Sequence, residues 1–197
     1  MTATNVTAFN PSSTPFVASA AGAWDVDPSH SSAGFKVRHL MVAHVRGELG
    51  PVSGTVWIDD RDIERSSIDV SIDARGTDTR DAKRDEHLRS ADFLDVANHP
   101  VVTFRSSEVR RGPSERLSVV GDLTIRGTTR PVTLEVDPLS PVIADPWGNT
   151  KRGATARARI NRKDWGLVWN VALETGGLVV GDEVAIEIEV ELVQRKA

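Results

Sequence analysis

The sequence predicts an all-β protein: a single closed antiparallel barrel of about eight strands, interrupted by one short helical insert. Three observations carry that prediction. Aliphatic side chains alternate with polar ones along most of the chain, the alternation breaks in a charged stretch at residues 79–94, and Gly and Pro residues mark turns between the alternating segments. The last strand is the clearest. From Glu183 to Val193, the residues Val184, Ile186, Ile188, Val190 and Leu192 alternate with Ala185, Glu187, Glu189 and Glu191. Period two places every large aliphatic side chain on one face and every carboxylate on the other. One face must therefore meet an apolar interior, and the opposite face must meet water.

The upstream segments repeat this pattern. Phe35, Val37 and His39 share a face against Lys36 and Arg38, and Val52, Gly54, Val56 and Ile58 form a second row. Ile68, Val70, Ile72 and Ala74 oppose Asp69, Ser71 and Asp73; Val102, Phe104 and Ser106 oppose Thr103 and Arg105. Leu117, Val119, Leu123 and Ile125 alternate with Asp122 and Thr124, and Arg126-Gly127-Thr128 turns the chain so that Val132, Leu134 and Val136 return antiparallel. Ala154, Ala156, Ala158 and Ile160 alternate with Thr155, Arg157 and Arg159. With the last strand this makes roughly eight amphipathic strands, the number at which a closed barrel leaves room for one small ligand.

The interruptions agree with that architecture. Thr79 to Arg89 alternates in charge without period two and is expected to be helical. Ser90 can cap a following short turn that carries the apolar pair Phe93-Leu94. Gly112-Pro113-Ser114 and Gly176-Gly177 read as turns, and Pro138, Pro141, Pro146 and Gly148 mark a loop.

Composition bounds the function. The 197 residues suit one domain, here residues 22–197, preceded by a tail. With 24 basic and 28 acidic residues the chain has no basic excess to hold a nucleic acid. With 39% hydrophobic residues it can build a core, yet it has no apolar run long enough to span a bilayer, so no stable membrane insertion is expected. The absence of cysteine excludes disulfides, thiolate metal sites and thiol catalysis. Residues 1–21 are rich in Thr, Ser, Ala and Pro, with neither Lys nor Arg nor a sustained apolar run. They are expected to form a disordered tail rather than a secretory signal, and the protein is expected to be cytoplasmic.

Three blocks carry a family resemblance: WDVDPSHSSAGFKVRH at Trp24 to His39, RDEHLRSADFLDVANHPVVTF at Arg84 to Phe104, and INRKDWGLVWNVALETGGLVVGDEVAIEIEVEL at Ile160 to Leu192. In this order they resemble the YceI-like family. The resemblance implies a lipocalin-like barrel that holds an isoprenoid lipid such as a polyprenyl phosphate or an isoprenoid quinone. No cofactor is expected beyond that lipid, and the resemblance also implies a homodimer.

The inward row Ala154-Ala156-Ala158 leaves volume that must be filled, because protein interiors tolerate few voids. Trp165, Trp169 and Phe104 can fill it, or a ligand can, and the resemblance favours the ligand. The expected lining is Phe35, Val37, His39, Val56, Ile72, Phe104, Leu123, Ala156, Trp165, Trp169 and Ile186. His39 is the one titratable group in that set, either a buried histidine satisfied by backbone or a group that meets a quinone carbonyl or a pyrophosphate. Trp165 and Trp169 are expected in one wall, with Asn170 able to accept from an indole N–H.

Other chemistry finds little support. The histidines at 30, 39, 44, 87 and 99 have no recognised metal-ligand spacing. His30 is expected to be structural, in the Asp27-Pro28-Ser29-His30 turn, and His87 and His99 are expected at the surface or as caps. Gly50-Pro51-Val52-Ser53-Gly54 places its serine wrongly for a nucleophile elbow. Arg157, Arg159 and Arg162 are expected on the outer face or at the end of the seventh strand, as a solvated cluster, with anchoring of a charged head group as the alternative. Two rival readings are an enzyme acting on an isoprenoid through His39 and a stress or structural barrel filled by its own side chains.

Overall fold

The computed structural model describes residues 22–172 and 178–196. The tail expected at 1–21 and the turn expected at Gly176-Gly177 lie outside the described residues. Among the described residues the chain forms β1 (Ala23–Val26), β2 (Ser32–His39), β3 (Ala43–Glu48), β4 (Val52–Trp57), β5 (Ser67–Asp73), α1 (Ala82–Arg89), β6 (Val101–Arg111), β7 (Leu117–Ile125), β8 (Thr128–Val136), β9 (Ile143–Ala144), β10 (Thr150–Asn161) and β11 (Val180–Gln194). Strands β11, β1, β4, β5, β6, β7, β8 and β10 pair in that order, and β10 pairs back onto β11. The ring is thus a closed eight-stranded antiparallel barrel.

Closure rests on the longest pairing, from Lys151 opposite Val193 to Asn161 opposite Glu183. The other edge of β11 is shared. β1 pairs with Trp24 opposite Gln194 and Val26 opposite Leu192, and β2 pairs with the stretch from Val180 to Glu189. β1 and β2 therefore run end to end, as do β3 and β4. β2 and β3 form a hairpin that extends the sheet beyond the ring. Of the eight predicted rows, seven are ring strands and the eighth, β2, flanks β1. β1 escapes the periodicity argument because it is only four residues long. β3 escapes it because Val45 is its only large aliphatic residue.

Alternation sorts the side chains as expected. Asp69 and Arg105 meet on the outside at 2.6 Å, Arg157 reaches Asp137 at 2.5 Å and Glu187 at 3.0 Å, and Arg159 reaches Glu183 at 2.7 Å. Exposed pairs of this kind contribute at most about 1 kcal/mol each and chiefly keep the surface polar. The interior holds Val52, Ile72, Val102, Phe104, Val119, Leu123, Leu134, Val136 and Leu192, all buried. Hairpins follow local chemistry: β7 and β8 join through Arg126 and Gly127, at φ 49° and 71°, a pairing in which glycine supplies the left-handed second position. Gly54, at φ 137°, marks a close approach, because a Cβ there would lie 2.3 Å from the Asp69 carbonyl oxygen. The adjacent Ser53 hydroxyl meets only Ser71 across the strand pair, at 3.1 Å.

The helical insert starts later than the sequence predicts, at Ala82 rather than Thr79. Asp81 is the N-cap, its carboxylate accepting from the N–H groups of Lys83 and Arg84 at 3.1 Å each, and Arg80 stands at φ 64°. Thr79 is excluded from the helix because its N–H and hydroxyl both donate to Asp85, at 2.8 and 2.5 Å. Arg84 in turn donates to the Thr79 hydroxyl at 2.7 Å and to its carbonyl at 2.8 Å. This network fastens α1 to the chain that leaves β5. Ser90 ends the helix, its hydroxyl donating to the His87 carbonyl at 2.8 Å. The turn that follows directs Phe93 into the core.

The Thr79 hydroxyl, more than any other partner, holds the Asp85 carboxyl below the usual carboxylate range, against the opposing effect of burial. A lowered folded-state pKa stabilises the fold above the unfolded value of about 3.9, and that contribution is lost as pH falls through the folded value. Asp85→Ala is expected to cost about 1–3 kcal/mol near neutral pH, the magnitude for stranding two buried donors. The gap between wild type and variant in urea unfolding should begin to narrow below about pH 4 and narrow further as pH falls through the folded value. A gap that persists unchanged at pH 2–3 would contradict this role.

Candidate functional site

The barrel encloses a cavity of about 250 Å³. Nine of the residues expected to line it do so: Phe35 and Val37 from β2, Val56 from β4, Ile72 from β5, Phe104 from β6, Leu123 from β7, Ala156 from β10, Trp165 just beyond β10, and Ile186 from β11. Each occupies the inward parity of its strand, or for Trp165 a turn held inward by its indole N–H, which donates to the Leu123 carbonyl at 3.1 Å. Ala154 and Ala156 leave the space beside β10 open, as their small side chains predict. The barrel is not filled by its own side chains.

Two expected lining residues are placed elsewhere. His39 is the last residue of β2, paired with Ala43 and Val180, and it does not border the cavity. The β2–β11 pairing shifts register between Val180 and Val184, so the parity that places Phe35 and Val37 does not carry through to His39. Trp169 also lies outside the cavity. Its ring packs edge-on against His87, with centroids 4.6 Å apart, and at 5.3 Å against Phe93. Phe93 itself lines the cavity together with Leu88 and Leu94. Trp169 therefore backs the lining from outside and joins the segment after β10 to the helical insert. His87 is part of the same stack and meets Asp92 at 2.9 Å, a packing role beyond the surface position expected for it.

Arg162 is the main correction. Expected on the solvated face with Arg157 and Arg159, it is buried at 4% exposure and borders the cavity. It follows β10 in the turn Arg162–Trp165, where strand parity no longer applies. Nε donates to the Gly181 carbonyl at 2.9 Å; Nη1 donates to the carbonyls of Leu167 and of Trp169, the latter at 2.9 Å; Nη2 reaches the Val180 carbonyl and Asp182 at 3.4 Å. All five N–H groups are engaged. Burial lowers the Arg162 pKa, and Asp182 partly opposes that shift. Asn170 works alongside it, donating to the Val180 carbonyl at 2.7 Å and accepting from the Val180 N–H at 3.0 Å. Asn170 thus bonds β11 rather than an indole, contrary to its expected role. Together these two residues clamp the segment after β10 onto the start of β11.

Besides the Trp165 indole, only Ser66, Thr77 and Arg162 bring polar side chains to the lining among the described residues. Each is already occupied. Ser66 accepts from the Asp59 N–H at 3.0 Å, Thr77 donates to the Ala74 carbonyl at 2.7 Å, and Arg162 is saturated. At the other end of β10, Arg152 lies over the Trp24 ring at 5.7 Å and 3.6 Å from Asp60. A grouping of metal-type ligands occurs at Asp27, His30 and Glu191, none of which borders the cavity. Lys151 Nζ sits within it, 2.6 Å from Glu191 and 3.7 Å from Asp27, so a side-chain cation already neutralises those carboxylates.

The lining that periodicity could not reveal comes from the helical insert and from Arg162. Phe93 and Leu94 carried a signal, as an apolar pair closing a charged segment, whereas nothing in the sequence distinguishes Arg162 from its two exposed neighbours. Arg162→Met is expected to lower stability by roughly 2–3 kcal/mol, because buried carbonyls lose a charged donor. It should also raise amide hydrogen exchange at residues 167–170. Exchange there at the wild-type rate would show that Arg162 does not hold the segment.

The residues from 24 to 192 match the YceI-like domain. Protein YceI of Escherichia coli O157:H7 is 36% identical over 172 residues, which cover 87% of this chain and 86% of that protein. The crystal structure of BcnA from Burkholderia cenocepacia superposes with a TM-score of 0.72 at 23% identity, covering 85% of this chain and 99% of that one. A structure described as a polyisoprenoid-binding domain from Saccharophagus degradans has a TM-score of 0.63 at 14% identity, covering 87% and 98%. These two structural likenesses show a shared barrel fold. By the extent of the domain match and of the sequence identity, the chain belongs to the YceI-like family.

Proposed function

We propose that the barrel binds a long isoprenoid lipid non-covalently and shields it from water for sequestration or transport. The observation that carries this reading is a cavity whose wall is almost wholly apolar and whose few polar groups are already paired. Apolar cavities of about 150 Å³ stay dry and take up apolar guests, and this one is larger, at about 250 Å³. Burying a CH₂ group contributes about 0.8 kcal/mol, so each five-carbon unit offers roughly 3–4 kcal/mol before ordering costs. Such binding needs no directional contact. Membership in the YceI-like family and the barrel shared with a polyisoprenoid-binding domain support the same ligand class.

The paired lining also favours binding over catalysis. General acid–base chemistry requires a titratable group within hydrogen-bond reach of the reacting atom. His39, the group expected to supply it, stands outside the cavity.

Mass spectrometry of an organic extract of the detergent-free protein, beside native mass spectrometry of the intact complex, tests the proposal. A stoichiometric isoprenoid is expected in the wild type. Ala156→Trp, which fills the space beside β10, should lose it while keeping the fold, at an overpacking cost of about 1–3 kcal/mol. A wild type that carries no isoprenoid and takes up neither added polyprenols nor quinones would refute the reading.

A further inference from the structure

The β2–β3 hairpin ends in Leu40, Met41 and Val42, all exposed, with Met41 at 55% and Val42 at 78%. Leu40 and Met41 stand at φ 50° and 61°, a backbone region that side-chain-bearing residues enter rarely. Arg38 fixes this tip by donating to the Met41 carbonyl from Nε and Nη2 at 3.1 and 2.7 Å. The tip is thereby held outward rather than folded back onto the barrel. Beside it lie two more exposed apolar residues, Val171 and Leu178, and Val168 is exposed in the segment that leads to them. Backbone bonds make the two groups neighbours: the Leu40 N–H donates to the Val179 carbonyl at 2.8 Å, and the Val179 N–H donates to the Val171 carbonyl at 3.1 Å.

This apolar rim adjoins the cavity wall. Val37, Leu167 and Val180 line the cavity, and each is within a few residues of the rim along the chain or across a strand pair. The outer face of the same hairpin is basic. Lys36 is directly opposite Arg46, and Arg38 is directly opposite His44. Like charges at such positions destabilise a sheet, so the arrangement calls for a compensating partner. Of the nearby carboxylates, Asp182 is engaged by Lys163 at 2.8 Å, Glu183 by Arg159 at 2.7 Å and Glu187 by Arg157 at 3.0 Å, while Glu48 and Asp78 adjoin the same face and offset part of its positive charge. Desolvation first, and then the charges of Lys36, Arg38 and Arg46, hold the His44 ring below the ordinary imidazole range.

An apolar edge that carries cations on its flank is the pattern of an interfacial anchor, with side chains entering the acyl boundary and Lys and Arg meeting anionic headgroups. We propose that the β2–β3 tip, with Val168, Val171 and Leu178, docks the barrel reversibly on an anionic bilayer surface, where the isoprenoid enters or leaves the cavity. The exchange half of this proposal rests on the carrier reading; the docking half stands on the surface alone. Among the described residues no helix is long and apolar enough to cross a membrane.

Flotation of the full chain with phosphatidylglycerol–phosphatidylcholine vesicles, against pure phosphatidylcholine vesicles, tests it. Binding to the anionic vesicles is expected to be at least ~10-fold stronger and to weaken at high salt, since exposed charges are screened within about a Debye length. Met41→Asp combined with Val42→Asp should reduce it ~10-fold or more, and Lys36→Ser with Arg46→Ser should erase the anionic preference, both with an unchanged circular dichroism spectrum. Equal binding to both vesicle types, or tip variants that bind like wild type, would overturn the proposal. So would a tip variant that converts a dimer into monomers in size-exclusion chromatography when the wild type ignores vesicles, since the rim would then be a contact between copies. Isoprenoid content, read by extraction of the same samples, should be unchanged in the variants. Its absence from the wild type with vesicle binding intact would overturn lipid exchange and leave docking standing.

Discussion

The pairing of β10 with β11 closes the sheet, in register from Lys151 opposite Val193 to Asn161 opposite Glu183. A closed sheet has no free edge, and each strand can satisfy its backbone only at its neighbours' spacing. Once the ring is fixed, residue parity decides which side chains meet water and which share a dry interior. The carboxylates Glu187 and Glu183 go outward to Arg157 and Arg159, and Ile186, Ile188 and Leu192 go inward. One covalent sequence pattern thus produces both the solvated exterior and the apolar cavity.

The interior departs from an ordinary core in one respect. Where β10 faces inward it presents Ala154 and Ala156, while other strands present Phe104, Leu123 and Ile186 at normal size. Close packing is therefore incomplete by design of the sequence, and the remaining space is apolar. Its polar neighbours do structural work. Thr77 and Ser66 tie turns, and Arg162 with Asn170 clamps the segment after β10 to β11. The aromatic stack of His87, Phe93 and Trp169 then couples that segment to the helical insert. This part of the wall is held by hydrogen bonds and ring contacts rather than by the strand ladder.

Most of the barrel was legible in the sequence because period two is a property of the residues themselves. Phe35, Val37, Val56, Ile72, Phe104, Leu123, Ala156 and Ile186 could be assigned to the interior from parity alone, and all border the cavity. Parity holds only while the register does, and the β2–β11 pairing shifts register between Val180 and Val184, which is why the expectation for His39 fails. It is silent outside strands, so Arg162, one residue past β10, could not be separated from Arg157 and Arg159. β1 was too short to show a period, and the helix start depended on Thr79 bonding Asp85 across a turn, a tertiary choice that helix-like charge alternation does not encode. The family resemblance supplied the ligand class; no residue pattern in an apolar wall specifies a head group.

The central claim is that affinity comes from burying chain rather than from recognising a head. Titration of the lipid-free protein with a series of prenols that differ by one five-carbon unit, followed by intrinsic tryptophan fluorescence, measures this directly, since Trp165 lines the cavity. The account predicts that Kd falls by about tenfold or more with each added unit until the cavity is full, as partial recovery of roughly 3–4 kcal/mol per unit requires. Affinity independent of chain length would contradict it.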